Sequence, residues 1–311
     1  MPSSSLATDQ RVLITGATGL LCQDLLPALS RDFTCFPTGF SQDLDHPDFR
    51  RANLLDYEEV RKLLEQTNPD TIIHCAALAN VDQCEEEPHK AHELTVQTTK
   101  ILTEWVAENS PDVRLIYISS DQVYAGRGPH SEKHVSPRNI YALTKLWAED
   151  IARTAKRHLV LRLNFFGLGT EGSGGFANWL IDSFYTGENI TLFEDVHFNP
   201  LYSKDLADMI SHLLRTELTG TYNLGADSGG MSKAEFANSL ASSLGLSNEN
   251  AVIGKIDDLN LKAWRPRDMR MSIDKLSDAI DRPLPTIRDG IERLARDFSE
   301  RACQDVRVEG K

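Results

Sequence analysis

The stretch RVLITGATGLLCQDLLPALS, residues 11–30, decides the architecture. Val12 to Ile14 form a short, continuously apolar run of the kind buried on both faces of a sheet. A glycine-bearing turn follows, and a helix begins near Leu20. TCFPTGF, residues 34–40, reads as a second strand, so the chain opens with a strand-helix-strand unit. The alternation continues with a helix in DYEEVRKLLEQTNP, a strand in TIIHCAA and a long helix in HKAHELTVQTTKILTEWVAEN. RLIYISS is a strand, NIYALTKLWAEDIARTA a helix and LVLRLNFFG a strand. Apolar strands separated by helices predict an α/β fold: a doubly wound parallel sheet covered on both faces, with right-handed crossovers.

Beyond about residue 168 the regularity fails. GTEGSGG reads as a flexible loop, FANWLIDSFYTG as a helix, NITLFE as a strand and SKDLADMISHLLRT as a helix. TYNLG then returns to the sheet. SKAEFANSLASSLG is a helix with Ser232 and Glu235 at capping-box spacing, and TIRDGIERLARDF is the last helix. The expected division is a first domain over residues 1–168, to which 200–226 returns. A smaller C-terminal α/β substrate lobe takes 169–199 and 227–300, and 301–311 form a tail.

Composition narrows the function. With 311 residues, 41% hydrophobic and 25% charged, the chain can bury a sizeable core. A net charge of -13 opposes sequence-independent binding to nucleic acid or anionic lipid. Five scattered cysteines without a C-x-x-C suggest neither a disulfide framework nor a zinc site. MPSSSLATDQ has no basic or apolar leader pattern and no later window resembles a membrane span. The expectation is a cytoplasmic protein with a short frayed N-terminus.

The turn TGATGLLC places Gly16 and Gly19 three apart after the first strand, where backbone N–H groups at a helix N-terminus can hold a pyrophosphate. Cys22 stands where a third glycine would complete the pattern. At the end of the second strand, TGFSQ offers neither the carboxylate that reads the ribose hydroxyl of NAD nor an arginine for the phosphate of NADP. Ser41 and Gln42 can donate to a phosphate, so NADP is favoured, with NAD the alternative and Asp43 and Asp45 close by. Strand LIYISSDQVYAG brings Ser119, Ser120 and Asp121 to the C-terminal edge of the sheet, where such folds bind ligands. Tyr141 and Lys145 follow, four apart on one helix face. Glycine turn, strand-end hydroxyl and Y-x-x-x-K in this order point to catalysis.

On these residues the chain resembles the extended short-chain dehydrogenase/reductase family, and within it the dTDP-4-dehydrorhamnose reductase group. The likeness runs from about residue 11 to 298 and rests on VLITGATGLL, IIHCAALANVDQCEEEPHKAHELTV, ISSDQVYAG, SPRNIYALTK, LRLNFFG and WRPRDMRMSIDKL. It implies a Rossmann fold of the extended type. It also implies hydride transfer from a nicotinamide to the C4 ketone of a nucleotide-linked 4-keto-6-deoxysugar. Tyr141 would be the general acid, Ser120 the hydroxyl that bonds the same oxygen, and Lys145 the group that lowers the tyrosine pKa and holds the nicotinamide ribose. Cofactor contacts are implied at Gly16, Thr18, Gly19, Leu20, Phe40, Ser41, Ala76 and Ala77. Substrate contacts are implied at Asp121, Gln122, Asn164, Phe165 and Arg265. A homodimer is common in this fold.

Departures from the family pattern are Thr95 in place of an asparagine that serves a proton relay, Ala142 for glycine, Gln122 for an aromatic and Phe165 for tryptophan. A 4,6-dehydratase would need a carboxylate at Gln122, and an amide cannot be that base. A nucleotide-sugar epimerase could use the same Ser120, Tyr141 and Lys145. A non-catalytic NADP-binding subunit resembling the methionine adenosyltransferase β subunit is the rival from another class. His89 and His92 have helical spacing but no third ligand, so no metal is expected. His130 and His134 precede Tyr141 in the loop, Arg162 reads as a buried partner, Asp205 as a helix start, and Arg265 with Arg267 as a pair able to clamp a pyrophosphate.

Overall fold

The computed structural model describes residues 10–169 and 175–309, with side chains described as far as residue 301. The N-terminal ten residues, most of the GTEGSGG loop and the side chain of Cys303 therefore lie largely outside the described residues. The first half runs β1 (Arg11–Thr15), α1 (Leu20–Leu29), β2 (Thr34–Gly39), β3 (Arg50–Arg51), α2 (Tyr57–Thr67), β4 (Thr71–His74), α3 (Val81–Glu86), α4 (Pro88–Ala91), α5 (Thr98–Asn109), β5 (Arg114–Ser120), α6 (Ile140–Ala152) and β6 (Arg157–Leu163). The second half runs β7 (Phe165–Phe166), α7 (Phe176–Thr186), β8 (Ile190–Phe193), β9 (His197–Phe198), β10 (Leu201–Tyr202), α8 (Ser203–Leu214), β11 (Gly220–Leu224), β12 (Met231–Ser232), α9 (Lys233–Leu244), β13 (Ala251–Gly254), α10 (Asp274–Ser277) and α11 (Ile287–Glu309).

Seven parallel strands form the main sheet in the order β11-β6-β5-β4-β1-β2-β3. The chain starts in the middle, winds outward through β2 and β3, then crosses back to β4 and winds the other way. The crevice at that reversal, between β1 and β4, is where ligands of open α/β sheets bind. Successive side chains alternate between two cores. Val12, Ile14, Ile73, Ile116 and Leu161 pack with α1, α8 and the second lobe, while Leu13, Ile72, Leu115 and Val160 pack with α2 and α5. This double burial is why the strands read as unbroken apolar runs. β11 closes one edge in register with β6, Tyr222 opposite Leu161. The last helix continues into the segment expected to be a tail, reaching Glu309.

One long helix expected from the sequence is interrupted. Between α4 and α5 the backbone makes a π-helical turn over His92–Gln97, with Thr95 at its buried centre. Widened turns of this kind occur often near functional sites. Thr95 Oγ1 accepts a hydrogen bond from the Leu78 N–H at 3.2 Å, so it supports the loop after β4.

A buried ion pair ties three elements of the sheet region together. Glu149 of α6 receives Arg162 of β6 in two parallel bonds, Nε at 2.9 Å and Nη2 at 2.6 Å, and both residues are almost wholly buried. Ser119 of β5 donates to the same carboxylate at 2.5 Å, and Arg162 Nη1 donates to the Tyr124 hydroxyl at 2.9 Å. A bidentate pair with its remaining groups satisfied offsets the cost of burying both charges, whereas half a pair does not. We expect Glu149→Ala to lower unfolding free energy by about 3–5 kcal/mol in urea titrations, because Arg162 is left charged and unpaired. Gly16 allows a second test. It has φ +67°, and a Cβ there would lie 2.8 Å from the Ala76 nitrogen, whereas at Gly19 the nearest atom is the Gly16 carbonyl oxygen at 3.2 Å. Gly16→Ala should therefore cost on the order of 1–3 kcal/mol in the same titration, and Gly19→Ala clearly less.

Candidate active site

The turn between β1 and α1 is built to receive an anion. Ala17 N–H bonds the Thr38 carbonyl at 3.0 Å and Gly19 N–H bonds the Gly16 carbonyl at 3.0 Å, which folds the loop tightly over the end of β1. Gly19 is the N-cap of α1, no side chain caps that end, and its first turn holds no acidic residue. The first N–H groups of the helix thus keep their capacity to donate, and the helix dipole favours negative charge at the same place. Gly16 brings this turn against Cys75 and Ala76 at the end of β4, across the reversal of the sheet. Thr18, Leu20, Ala76 and Ala77 line the same region and are partly exposed. Cys22, in the third-glycine position, is buried with its thiol against Cys75, whose proximity, together with burial, pushes it well above the usual thiol range.

The end of β2 carries a group that the sequence left unassigned. Phe40 is 54% exposed and Ser41 is exposed. Arg51 of β3, opposite Gly39 in the register, donates from Nη1 to the Phe40 carbonyl at 2.7 Å and from Nη2 to Asp43 at 2.6 Å. An exposed guanidinium, paired with Asp43, is thereby held beside the end of β2. No periodicity marks it, since β3 is two residues long and reaches β2 only in three dimensions.

Catalytic candidates converge at the C-terminal edge of β5. Ser120 ends the strand and donates to Asp121 Oδ1 at 3.2 Å. Asn139 caps α6 through the Ala142 N–H at 2.7 Å, fixing the helix start so that Tyr141 meets Ser120, whose hydroxyl bonds the phenol. Burial pushes the Tyr141 phenol up to about 12, partly opposed by that Ser120 hydrogen bond and reinforced by Asp121 and Cys84. Lys145, one turn on, is buried, donates to the Ile118 carbonyl at 2.5 Å and lies 4.5 Å from the centre of the Tyr117 ring. Burial draws its ammonium down to about 8. In this arrangement burial dominates the phenol, and the lysine is engaged by a backbone carbonyl.

Asp121 is buried and accepts from Asn164 Nδ2 at 2.5 Å; burial raises its carboxyl to about 6. Lys233 of α9 acts on it from the second lobe. Gln122 accepts from Asn139 at 3.1 Å, and Phe165 packs half-buried in β7 against the core. Arg265 Nη2 pairs with Asp82 of α3 at 2.9 Å. Its neighbour Trp264 offers its carbonyl to Asn139 at 2.9 Å, so this segment straps the second lobe to the start of α6. Arg267 pairs with Asp257. Among the described residues no cluster of histidine, cysteine or carboxylate groups could hold a metal, and no helix is long and apolar enough to cross a membrane.

Comparison with known proteins follows the same outline. The probable low-salt glycan biosynthesis reductase Agl14 of Haloferax volcanii is 25% identical over 298 residues, 92% of this chain and 98% of the relative. Methionine adenosyltransferase 2 subunit beta of Pongo abelii is 29% identical over 290 residues, 86% of this chain and 82% of the relative. The crystal structure of dTDP-4-dehydrorhamnose reductase from Bacillus anthracis in complex with NADP superposes with a TM-score of 0.83 at 26% identity, covering 93% of this chain and 99% of that one. The fold is accordingly that of the extended short-chain dehydrogenases and reductases. A family model described as the RmlD substrate binding domain matches residues 10–300, and the chain belongs to that family.

Proposed function

We propose that the protein is an NAD(P)H-dependent reductase of the C4 ketone of a nucleotide-linked 4-keto-6-deoxysugar, with NADPH the favoured coenzyme. The observation that carries this reading is the meeting of Ser120, Asp121, Tyr141 and Lys145 at the sheet edge beside the uncapped α1 turn. Support also comes from the likeness to a reductase solved with NADP and to a glycan biosynthesis reductase.

The residues fit a dinucleotide. Gly16, Thr18, Gly19 and Leu20 would hold the diphosphate, Ala76 and Ala77 the loop beside it, Lys145 the ribose next to the nicotinamide, and Arg51 with Ser41 the adenosine 2'-phosphate, while Phe40 flanks the adenine. When bound, the nicotinamide supplies hydride to the carbonyl carbon. Tyr141, protonated at neutral pH because burial holds its phenol near 12, gives its proton to the carbonyl oxygen. Ser120 donates to the same oxygen by turning its hydroxyl from Asp121, which adds a fixed dipole where charge develops. Lys145 places positive charge behind the pair as long as it stays protonated, which its value of about 8 permits at neutral pH.

A second reading has its own observation. The match to methionine adenosyltransferase 2 subunit beta reaches 38% over 143 residues in the Rattus norvegicus protein, and a regulatory subunit could bind the same dinucleotide without turnover. Oxidation of NADPH and NADH in the presence of a panel of nucleotide-linked 4-keto-6-deoxysugars separates the two. We expect wild-type turnover that falls by on the order of 100-fold or more in Tyr141→Phe. The rate kcat/KM should fall above pH about 8 as Lys145 loses its proton. Arg51→Ala should weaken NADPH binding about tenfold, by fluorescence titration, with little effect on NADH. Tight NADPH binding without any turnover would instead favour the subunit.

A further inference from the structure

One charged group in the cleft has no part in the chemistry just described. Lys233 opens α9 directly after Ser232, whose hydroxyl accepts from the Glu235 N–H while the Ser232 N–H donates to the Glu235 carboxylate, a reciprocal cap. The cap fixes the backbone, and the lysine side chain lies on two aromatic faces, its Nζ 3.7 Å from the centre of the Phe176 ring and 4.0 Å from that of Phe198. It is half-buried and forms no hydrogen bond or close ion pair with the described residues. The charges of Asp121 and Lys233 act on each other, and no ion pair forms between them. Both Asp121 oxygens have partners on the first domain, Ser120 on one and Asn164 on the other.

The cage has a defined place. Phe176 follows Gly175, where a Cβ would come within 2.9 Å of Leu20, the first residue of α1. The aromatic cage therefore lies beside the anion-binding turn at the start of α1. Cation–π contact offsets only about 0.5–2 kcal/mol of the cost of drawing an ammonium out of water. Three donors left without acceptors add to that cost, so for stability alone an apolar side chain on these rings would serve better.

We propose that Lys233 is a substrate-binding residue which, with Asp121, brackets a hydroxyl group of the sugar near the reacting ketone, the ammonium donating to its oxygen and the carboxylate accepting its hydrogen. The proposal rests on the reductase reading and deepens it. The favoured substrate keeps a hydroxyl at that position, and a sugar deoxygenated there leaves two charged groups unmatched and is discriminated against.

The test is steady-state kinetics with any keto sugar that the wild type reduces, comparing Lys233→Met, which keeps the stem on the rings, with Lys233→Arg. For Lys233→Met we expect KM for the sugar to rise about tenfold or more, with kcat changed less and NADPH affinity unchanged, and Lys233→Arg to recover part of the loss. The charge of Asp121 is coupled to Lys233 of α9 and to Tyr141 of α6. Removing the ammonium should therefore shift the acid limb of kcat/KM to higher pH. Unchanged KM and pH profile in Lys233→Met would overturn the proposal, as would a parallel loss of thermal stability and NADPH affinity, which is the mark of a packing role. A wild type that reduces no keto sugar defeats the reductase reading itself, and this proposal with it.

Discussion

The bidentate pair between Glu149 and Arg162 sets the geometry on which the site depends. It joins α6 to β6 and takes in the Ser119 hydroxyl of β5, one residue before Ser120. A helix packed on a sheet by apolar contacts alone can rotate or slide at small cost, because those contacts have no direction. A carboxylate fixed by three donors from two adjacent strands cannot. Since Tyr141 and Lys145 lie about two turns and one turn before Glu149 on the same helix, locking that residue also decides how the phenol meets Ser120.

The same sheet supplies the second constraint. Its reversal between β1 and β4 opens a crevice at the carboxyl ends of the strands, and both the α1 turn and the Ser120 edge face it. Gly16 is required there because its positive φ and the nearness of Ala76 exclude any side chain. Beyond the shared apolar core, polar and close contacts tie later segments to this end of the sheet. Asn139 holds the Trp264 carbonyl, Arg265 holds Asp82, and the Phe176 end of α7 rests by Leu20.

Much of this was legible in the sequence, for physical reasons that can be named. Strands buried on both faces must be apolar throughout, a glycine turn must follow the first, and helix caps leave a local signature, as Ser232 and Glu235 do. The spacing of Tyr141 and Lys145 gave their common face. The π-helical turn around Thr95 was not legible, since a local widening of the helix leaves its apolar pattern intact. Arg51 and Lys233 escaped because their meaning lies in contacts from distant segments: Arg51 needs the register of β3 on β2, and Lys233 needs two rings and a carboxylate from three other elements. The pairing of Arg265 with Asp82 was not legible for the same reason, since it joins segments far apart in the chain. Burial of the Tyr141 phenol, which raises its pKa, is not revealed by spacing along a helix.

The most direct measurement is of where the hydride goes. Incubating the protein with NADPH deuterated at C4 of the nicotinamide, each face labelled in turn, and with a nucleotide-linked 4-keto-6-deoxysugar should place one deuterium at C4 of the sugar from one face only, read by mass spectrometry and proton NMR. A sugar recovered without deuterium from either label, with the coenzyme unconsumed, would contradict the assignment of Ser120, Tyr141 and Lys145 to ketone reduction.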